Sequence, residues 1–473
     1  MPHLIQVDEN GNIVLRLNWK RTLKVSIILI LALSGWFLPI PGLTLASRIS
    51  LIIFIGAAGL WVTEAIPPFA TAIMVIVLNI YLLGIPGGPL HLAKSGVSDS
   101  YQIFLNPIAS PVLVLFFGGF ILAIAATKHG LDVRLAKAFI KPFGTRPSMV
   151  LLGIISITAL FSMFMSNTAT TAMMIAILTP LLTHFEGRVS FKKAMVLAVP
   201  FAANIGGLGT IIGTPPNAVA ASVLNGLGYH ISFLKWMVIG VPVVIIMLLI
   251  LWGVLLQLFK PRKEKFIILF PEPIEMTWDL VVVVFTFVAT ILLWLTEPLH
   301  HIPSAVVALL PIFIFFTLGI LNRDDLKRLE WDVLILVAGG LTLGVSMVTS
   351  GLSEILVGQV SFLSLSPFML LFVFVLMSVV ISNFMSNTSA SNLIIPLVTS
   401  VTVISPVTGA IGVAFACSLA MSLPISTPPN AIAFATNQIE TREMVHYGTI
   451  VSLFGLIVIM ATLFLIVRYF NLG

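Results

Sequence analysis

The sequence predicts an all-α polytopic membrane protein, and three observations support this fold class. The chain has 473 residues, of which 59% are hydrophobic and only 9% are charged, whereas a soluble domain carries about 25% charged residues. The apolar residues form runs long enough to cross a bilayer. Two pairs of similar polar motifs interrupt those runs, and polar groups at membrane depth are tolerated only where they line a buried or water-facing site.

The apolar runs predict about 11 transmembrane helices and two segments of a different kind. The first helix is expected at about 25–45, and no convincing cleavage site follows it. The stretches 149–184 and 366–400 hold a polar motif at their middles, so each half is too short to cross a bilayer comfortably. We interpret both as re-entrant hairpins, which enter and leave on one side. The other spans are expected near 50–66, 67–85, 109–127, 194–228, 236–259, 279–296, 302–321, 331–350, 409–437 and 447–468.

The basic residues test this layout, because cytoplasmic loops collect Lys and Arg. With the N-terminus in the cytoplasm, 20 of the 24 basic residues fall in cytoplasmic segments, and only Arg48, Lys94, Lys235 and Arg468 do not. Counting either hairpin as a full span would destroy this asymmetry. The layout therefore opens the first hairpin to the cytoplasm and the second to the exterior, and it places the C-terminus outside. Topology explains the net charge of +6 without a nucleic-acid partner.

The basic stretch 128–146 interleaves apolar and charged residues. A helix lying along the cytoplasmic membrane surface suits this pattern. An ordinary positive loop fits the composition equally well, so the sequence leaves both interpretations open.

The polar motifs belong to an internal duplication. An odd number of predicted spans separates the two copies, so the second copy is inserted upside down. Inverted repeats with interrupted helices are typical of secondary transporters, which bind substrate and coupling ions near the membrane midplane. The matched segments are 61–64 and 294–297, 118–119 and 339–340, 162–168 and 382–388, and 214–218 and 427–431.

Two motifs recur in the copies: Ser-Asn-Thr at 166–168 and 386–388, and Thr-Pro-Pro-Asn at 214–217 and 427–430. A hairpin tip exposes free carbonyls from one half-helix and free amides from the next. The carbonyls suit a cation and the amides suit an anion, while an Asn side chain can serve either. Consecutive prolines remove amide donors and are expected to leave carbonyls free to coordinate. The first copy adds glycines and the second uses Pro424 instead, so the sites are related rather than equal.

The motifs lie in long segments without a basic residue. No Lys or Arg occurs between the ends of 149–187, 194–235 and 366–441, although an anion in a low-dielectric site needs compensating charge. Cations bound together with the anion are therefore expected. The motifs hold no Asp, Glu, His or Cys, and the single cysteine, Cys417, lies in an apolar run, so sodium is favoured over zinc or copper. One sodium ion per copy would balance a divalent anion.

Other function classes fit less well. An intramembrane enzyme would need a nucleophile with a base or paired acidic metal ligands, and the motifs contain neither. A channel would not need two separate cation sites around an anion site. We expect no enzyme activity and no cofactor, with sodium as the coupling ion.

These motifs resemble those of the divalent anion:sodium symporter family, the dicarboxylate, citrate and sulfate carriers. The resemblance runs from about residue 25 and includes Trp-Val-Thr-Glu-Ala-Ile-Pro at 61–67. It implies eleven spans with two hairpins, a homodimer, and a transport domain that moves elevator-like against a scaffold. It also implies sodium-coupled symport of C4-dicarboxylates (succinate, malate, fumarate), since each tip offers Asn and Thr to one carboxylate. A sodium-independent dicarboxylate exchanger and a sodium-coupled citrate or sulfate carrier remain the alternatives, and compact loops suit a bacterial inner membrane.

The resemblance further implies the binding residues. Ser382 stands where the family commonly has Thr, and Ser426 where it commonly has Ala or Gly, so the second sodium site departs from the pattern. The first sodium site is expected at Ser162, Ser166, Asn167 and Gly213, and the second at Ser382, Met385, Asn387 and Ser426. The substrate is expected at Asn167, Thr168, Thr214, Ser386, Asn387, Thr388, Thr427 and Pro428.

The same resemblance divides the chain into a scaffold and a transport domain, each assembled from both copies. The tail, the first scaffold helices and the surface helix occupy 1–148, and further scaffold helices occupy 279–365. The transport domain takes 149–259, with the inner hairpin, and 366–473, with the outer hairpin. A cytoplasmic linker at 260–278 joins the copies.

Overall fold

The computed structural model describes residues 5–7, 13–15, 19–85, 100–183, 189–259, 275–360 and 365–469. Nearly all of them are helical, which confirms the predicted helical membrane fold. The exception is an antiparallel pair of strands, β1 (Ile5–Val7) and β2 (Ile13–Leu15).

The helices follow the predicted order, with additional short helices between them. In the first half they are α1 (Trp19–Ser34), α2 (Leu45–Thr63), α3 (Pro68–Asn79), α4 (Ser100–Leu105), α5 (Pro111–Lys128), α6 (Leu131–Ile140), α7 (Pro147–Ser162), α8 (Asn167–Thr183), α9 (Val189–Gly206), α10 (Pro215–Gly226) and α11 (Phe233–Leu258). In the second half they are α12 (Trp278–Leu295), α13 (Glu297–His300), α14 (Ser304–Val307), α15 (Leu309–Thr317), α16 (Arg323–Leu326), α17 (Trp331–Thr349), α18 (Leu352–Val360), α19 (Pro367–Ser382), α20 (Asn387–Ser400), α21 (Pro406–Ser418), α22 (Pro428–Phe434) and α23 (Thr441–Tyr469).

Six stretches of the described residues are long and apolar enough to cross a membrane as single helices. Large apolar side chains face outward on them, such as Phe285 on α12, 72% exposed, and Ile457 on α23, 65% exposed. An apolar outer surface is the arrangement expected in lipid. The hairpin helices and the halves of the interrupted helices are shorter, as the polar motifs predict. The six long stretches are Leu45–Thr63, Tyr101–Lys128, Phe233–Leu258, Trp278–Leu295, Trp331–Thr349 and Thr441–Ile466.

The basic stretch after α5 forms a helix rather than a loop. Helix α6 buries Leu131, Ala136 and Ile140 on one face, while Lys137 and Phe139 are exposed. Of the two interpretations that the sequence leaves open, the helical one is correct. A partly buried ion pair anchors the end of α5 nearby, where Lys128 Nζ lies 2.6 Å from Asp325 Oδ2. Burial opposes ionisation of Asp325, but its hydrogen bonds to Lys128 and to the Asn322 backbone and the nearby positive charges together lower its pKa.

The duplication is visible in matched hydrogen bonds. Trp61 Nε1 donates to Pro68 O at 3.0 Å, and Trp294 Nε1 donates to Ser304 O at 2.9 Å. Each tryptophan thereby closes the turn between two helices at the corresponding place in its copy. The paired glycines are used in the same way: a Cβ on Gly118 would clash with Ala308, and one on Gly339 would clash with Ala72. Each copy thus packs a glycine against a helix of the other copy.

The two copies interleave around the interrupted helices. Helix α10 of the first copy packs on α20 and α21 of the second, while α22 of the second packs on α8 and α9 of the first. Each half-helix that begins with Thr-Pro-Pro-Asn therefore lies beside the hairpin of the opposite copy. This exchange brings all four polar motifs close together.

Parts of the predicted layout lie outside the described residues. These are most of the linker, 260–274, and the segments 86–99, 184–188 and 361–364. Several of the basic residues that predict the topology fall there, among them Arg188 and Lys263.

Candidate functional site

The two Ser-Asn-Thr motifs form the tips of two helical hairpins. In the first, α7 ends at Ser162 and α8 begins at Asn167, and Ser166 Oγ accepts from Ala169 N at 3.2 Å. In the second, α19 ends at Ser382 and α20 begins at Asn387. There Ser386 is the N-cap, its Oγ accepting from Ser389 N at 3.2 Å. A serine at this position satisfies one of the first free amides of a helix, so the motif itself starts the second arm of each hairpin.

The two Thr-Pro-Pro-Asn motifs begin the second halves of the interrupted helices. Pro215 and Pro428 occupy the first turns of α10 and α22, where a missing amide would have no helical partner in any case. The prolines were expected to free carbonyls by removing amide donors. Their position at helix starts shows that this reason is wrong, because the carbonyls are freed by the break in the helix that precedes the prolines. In the first copy, the chain leaves α-helical geometry between Gly206 and Pro215, with one 3₁₀ turn at Gly207–Gly209.

The Asn of each Thr-Pro-Pro-Asn motif closes the interruption. Asn217 Nδ2 donates to Gly207 O at 2.9 Å and to Thr210 O at 2.8 Å. In the second copy, Asn430 Nδ2 donates to Leu423 O at 2.9 Å. Both side chains are fully buried. They take up carbonyls left by the preceding helix, so these two residues hold the backbone in place.

All four motifs line one cavity of about 620 Å³. It contains every residue that the sequence analysis assigned to the substrate, namely Asn167, Thr168, Thr214, Ser386, Asn387, Thr388, Thr427 and Pro428. Phe69, Phe116 and Phe120 also line it. Of the described residues that line it, none is Lys or Arg. The cavity is thus rich in amide and hydroxyl groups and lacks fixed positive charge.

Beneath the first tip, oxygen atoms face one another. The amide oxygen of Asn167 accepts from Ser162 Oγ. If the amide were turned so that its nitrogen took this place, the nitrogen would lie 3.2 Å from Gly213 O and 3.3 Å from Ala203 O. Ser162 Oγ also lies 2.7 Å from Ala203 O. The arrangement is satisfied when the Asn167 amide is turned, because its nitrogen then donates to Ser162 Oγ, Ala203 O and Gly213 O. In the other orientation, four oxygens converge and suit a hard cation.

The close approach in this cluster depends on glycine. A Cβ on Gly213 would lie 2.5 Å from Gly207 O, and a Cβ on Gly207 would lie 2.9 Å from Asn167 Oδ1. Any side chain there would push the carbonyls apart. The glycines that the sequence analysis noted in the first copy therefore have a steric role in the oxygen cluster.

Beneath the second tip, the corresponding groups are more fully hydrogen-bonded. Ser382 Oγ lies 2.8 Å from Asn387 Oδ1 and 2.7 Å from Cys417 O, matching Ser162 in the first copy. Ser426 Oγ lies 3.0 Å from both Asn383 O and Asn383 Oδ1 and accepts from Leu423 N at 3.1 Å. Met385 is buried in the turn. Asn383 is a residue that the sequence analysis missed.

Three acidic residues also line the cavity without having been predicted as part of it: Glu64, Glu330 and Asp332. Burial raises the pKa of Glu330 above its ordinary value, with a smaller contribution in the same direction from Asp332 and an opposing one from the Ser166 hydroxyl. Glu330 precedes α17, where the sequence analysis saw only the start of a span. The matched Trp-Val-Thr-Glu and Trp-Leu-Thr-Glu segments gave a signal for Glu64 alone.

One further lining residue, Asn204, was missed because it lies in an apolar run near the end of α9. Its side chain is 1% exposed, and its Nδ2 donates to Thr427 Oγ1 of the other copy at 3.3 Å. The signal that could have found it is an isolated Asn two residues before the glycines of the first copy.

Known proteins are similar to this chain in sequence and in fold. The model of a family of citrate transporters, CitMHS, matches residues 58–408. The sodium-dependent dicarboxylate transporter SdcS of Staphylococcus saprophyticus is 32% identical over 447 residues, which is 86% of this chain and 83% of SdcS. The chain belongs to the divalent anion:sodium symporter family.

A further relative is similar in sequence, and two solved structures are similar in fold. SdcS of Staphylococcus aureus strain USA300 is 32% identical over 444 residues, 85% of this chain and 83% of that protein. The fold is shared with YdaH of Alcanivorax borkumensis, at a TM-score of 0.56 and 13% identity over 86% of this chain and 99% of YdaH. It is also shared with MtrF of Neisseria gonorrhoeae, at a TM-score of 0.54 and 15% identity over 86% of this chain and 96% of MtrF.

Membership of the symporter family fixes the broad function. The chain is an integral membrane transporter of the dicarboxylate or citrate type, and it is not an enzyme. The predicted family and the predicted absence of enzyme activity are thereby confirmed.

Proposed function

We propose that this protein couples the inward movement of sodium to uptake of C4-dicarboxylates such as succinate, malate and fumarate. The observation that carries the proposal is the cavity itself, where two matched tips present Asn and Thr and no described lining residue is Lys or Arg. A dianion in such a site needs positive charge from elsewhere. Sodium bound beneath each tip supplies it. The named relatives are sodium-dependent dicarboxylate transporters, which supports both the substrate and the ion.

In this proposal, the oxygen cluster beneath the first tip is a sodium site. Ser162, Asn167 and Gly213 provide oxygens, with Ser166 at the tip, and the Asn167 amide directs its oxygen toward the ion when sodium is bound. Oxygen ligands without thiolate or imidazole suit a hard ion. The second site uses Ser382, the Met385 carbonyl, Asn387 and Ser426. Each Asn turns its oxygen to sodium, so its amide nitrogen is available for the substrate.

The substrate lies between the tips. One carboxylate meets Asn167 and Thr168, and the other meets Asn387 and Thr388, near the free amides at the starts of α8 and α20. The remaining proposed contacts are Thr214, Ser386, Thr427 and Pro428. The match between two equal polar ends and two carboxylates favours a dicarboxylate over citrate or sulfate.

We also propose an elevator-type movement in a homodimer in the bacterial inner membrane. In this proposal the cavity opens inward, because Glu64 and Glu330, which line it, stand at helix ends that the predicted topology assigns to the cytoplasm. A second cavity of about 770 Å³, with Ser110, Ser222 and Thr399 in its lining, lies toward the predicted outer ends of α5, α10 and α20. Movement of the hairpins past α5 and α17 would carry the site from one side to the other.

The proposal is tested with labelled succinate and purified protein in liposomes, with and without an imposed sodium gradient. Uptake is expected only with the inward sodium gradient. It is expected to need no dicarboxylate inside the liposomes. Uptake that ignores sodium but requires internal dicarboxylate would show a sodium-independent exchanger instead. Unlabelled citrate and sulfate are added as competitors. Competition by either that equals that of malate would overturn the substrate preference.

A further inference from the structure

Asn204 forms a polar link between the two copies at the edge of the cavity. It lies on α9 of the first copy, and its Nδ2 donates to Thr427 Oγ1 at 3.3 Å and to Asn430 Oδ1 at 3.5 Å. Both partners belong to the Thr-Pro-Pro-Asn motif of the second copy. Asn204 and Thr427 each line the cavity, so the link lies beside the proposed substrate.

The neighbouring groups fix the orientation of the Asn204 amide. Asn430 Nδ2 is committed to Leu423 O at 2.9 Å, which leaves Asn430 Oδ1 facing Asn204. Only the nitrogen of Asn204 can pair with that oxygen. The Asn204 oxygen is left buried, without a hydrogen bond among the described residues. A side chain kept only for packing would not need this unfavourable arrangement, which points to a requirement for the nitrogen at Thr427.

Thr427 receives two donors as a result. As the N-cap of α22, its Oγ1 accepts from Asn430 N at 3.3 Å, and it also accepts from Asn204 Nδ2. A hydroxyl has two acceptor positions and one proton. With both acceptor positions occupied, the proton is directed away from these two nitrogens, to the side where Thr427 lines the cavity. Thr427 is thus fixed as a donor, which is the role that an anion requires.

The first copy lacks this arrangement. Ser162 and Ser382 bond to the matched carbonyls of Ala203 and Cys417, so the residue that corresponds to Asn204 is Ser418. Ser418 Oγ donates to Ala414 O of its own helix at 3.2 Å, and Thr214 makes no side-chain capping bond. The hydroxyl of Thr214 is therefore not fixed in the same manner.

We propose that Asn204 is a positioning residue that fixes Thr427 as a hydrogen-bond donor to the substrate carboxylate nearer the second tip. The inference rests on the proposed function, because it requires an anion in this cavity. Asn204 acts through Thr427 and does not itself contact the carboxylate.

The test is a double-mutant cycle in liposomes, measuring succinate KM and maximal rate. Asn204→Ala is expected to raise KM about tenfold, the loss of one hydrogen bond to a charged group, with little change in maximal rate. Thr427→Val is expected to do the same. In the Thr427→Val background, Asn204→Ala is expected to add almost nothing, because the hydroxyl that it positions is gone. Ser418→Ala, at the matched position of the second copy, is the control and is expected to leave KM unchanged.

Asn204→Ser guards against a folding defect, since the second copy already carries Ser at the matched position. It is expected to raise KM as Asn204→Ala does, with an unchanged melting temperature. Multiplying effects in the double mutant, or an unchanged KM in Asn204→Ser and Asn204→Ala, would overturn the inference. An unchanged KM in Thr427→Val alone would instead overturn the substrate contact assigned under the proposed function.

Discussion

The two hairpin tips are built from the same motif, and they differ in how their oxygens are satisfied. Beneath the first tip, the Asn167 amide, once turned, donates to Ser162 Oγ and to the carbonyls of Ala203 and Gly213. Beneath the second, Ser426 and Asn383 bond to each other, and Asn383 Oδ1 also accepts from Ser422 N at 3.0 Å. The residue matched to Asn383 in the first copy is Met163, which has no such side-chain oxygen. Duplication therefore preserved the tip while the groups below it diverged.

This difference has a consequence for the order in which ions bind. Sodium at the first site requires only that the Asn167 amide turn its oxygen to the ion, whereas at the second site Ser426 must also exchange its bonds to Asn383. We expect the first site to bind sodium more tightly than the second. The substrate then completes both sites, because it needs the charge of both ions.

The largest effects are expected from removing the tip side chains. Asn167→Ala and Asn387→Ala each delete an oxygen for sodium and an amide for the substrate, so succinate uptake is expected to fall at least about a hundredfold. Uptake in liposomes is the measurement, with size-exclusion chromatography confirming an unchanged folded state. Near-normal sodium-dependent uptake in both variants would refute the site assignment.

Substitution of Gly213 and of Ser426, which occupy matched positions in the two copies, is expected to have smaller and unequal effects on sodium affinity. Gly213→Ala places a Cβ 2.5 Å from Gly207 O, so it is expected to raise the sodium concentration for half-maximal uptake more than about tenfold. Ser426→Ala removes a hydroxyl that already bonds to Asn383, and a change of about threefold or less is expected. Titrations of uptake against sodium distinguish them. Equal shifts in the two variants would show that the copies bind sodium alike.

The pH dependence of uptake is expected to depend on Glu330. Because burial raises the pKa of this carboxyl, it stays protonated to a higher pH than an ordinary Glu. Its ionisation then adds a negative charge beside Glu64 and Asp332 in a cavity that must hold a dianion. Uptake is therefore expected to fall as pH rises through the raised pKa.

Glu330→Gln is the matched variant, since it keeps the shape and stays neutral. Its uptake is expected to fall less on the alkaline side than that of the unmodified protein. Titration of the substrate itself affects both proteins equally, so it does not account for a difference between them. Identical profiles in the two proteins would show that Glu330 does not influence binding.

The smallest effect is expected where the copies are equal. Trp61→Phe and Trp294→Phe each remove one Nε1 hydrogen bond to a carbonyl, at 3.0 and 2.9 Å. Each is expected to lower the free energy of unfolding by about 1 kcal/mol, and by similar amounts in the two copies. Thermal unfolding in detergent measures this. A large difference between them would show that the repeat symmetry does not extend to these turns.

The sequence was most informative where polar residues are costly. The repeated Ser-Asn-Thr and Thr-Pro-Pro-Asn motifs stand out against apolar runs, and the structure brings their eight proposed substrate contacts to one cavity. It was least informative where a residue acts through a distant partner. Asn204 meets Thr427 of the other copy, and no local pattern shows such a contact.

Some features were missed for other physical reasons. Glu330 stands at the start of α17, where an acidic residue is ordinary helix capping, and only packing against the first tip shows its burial. The role of Asn217 and Asn430 in closing the interruptions depends on carbonyls seven to ten residues away. The sequence analysis attributed the free carbonyls to the prolines, whereas they arise from the backbone segment before the prolines.

The central claim is that sodium supplies the positive charge that the cavity lacks. Its most direct test is the number of sodium ions carried with each succinate, measured in liposomes with both species labelled. At least two sodium ions, one for each copy of the repeat, are expected to be carried with each succinate dianion. Succinate uptake without accompanying sodium would contradict the account.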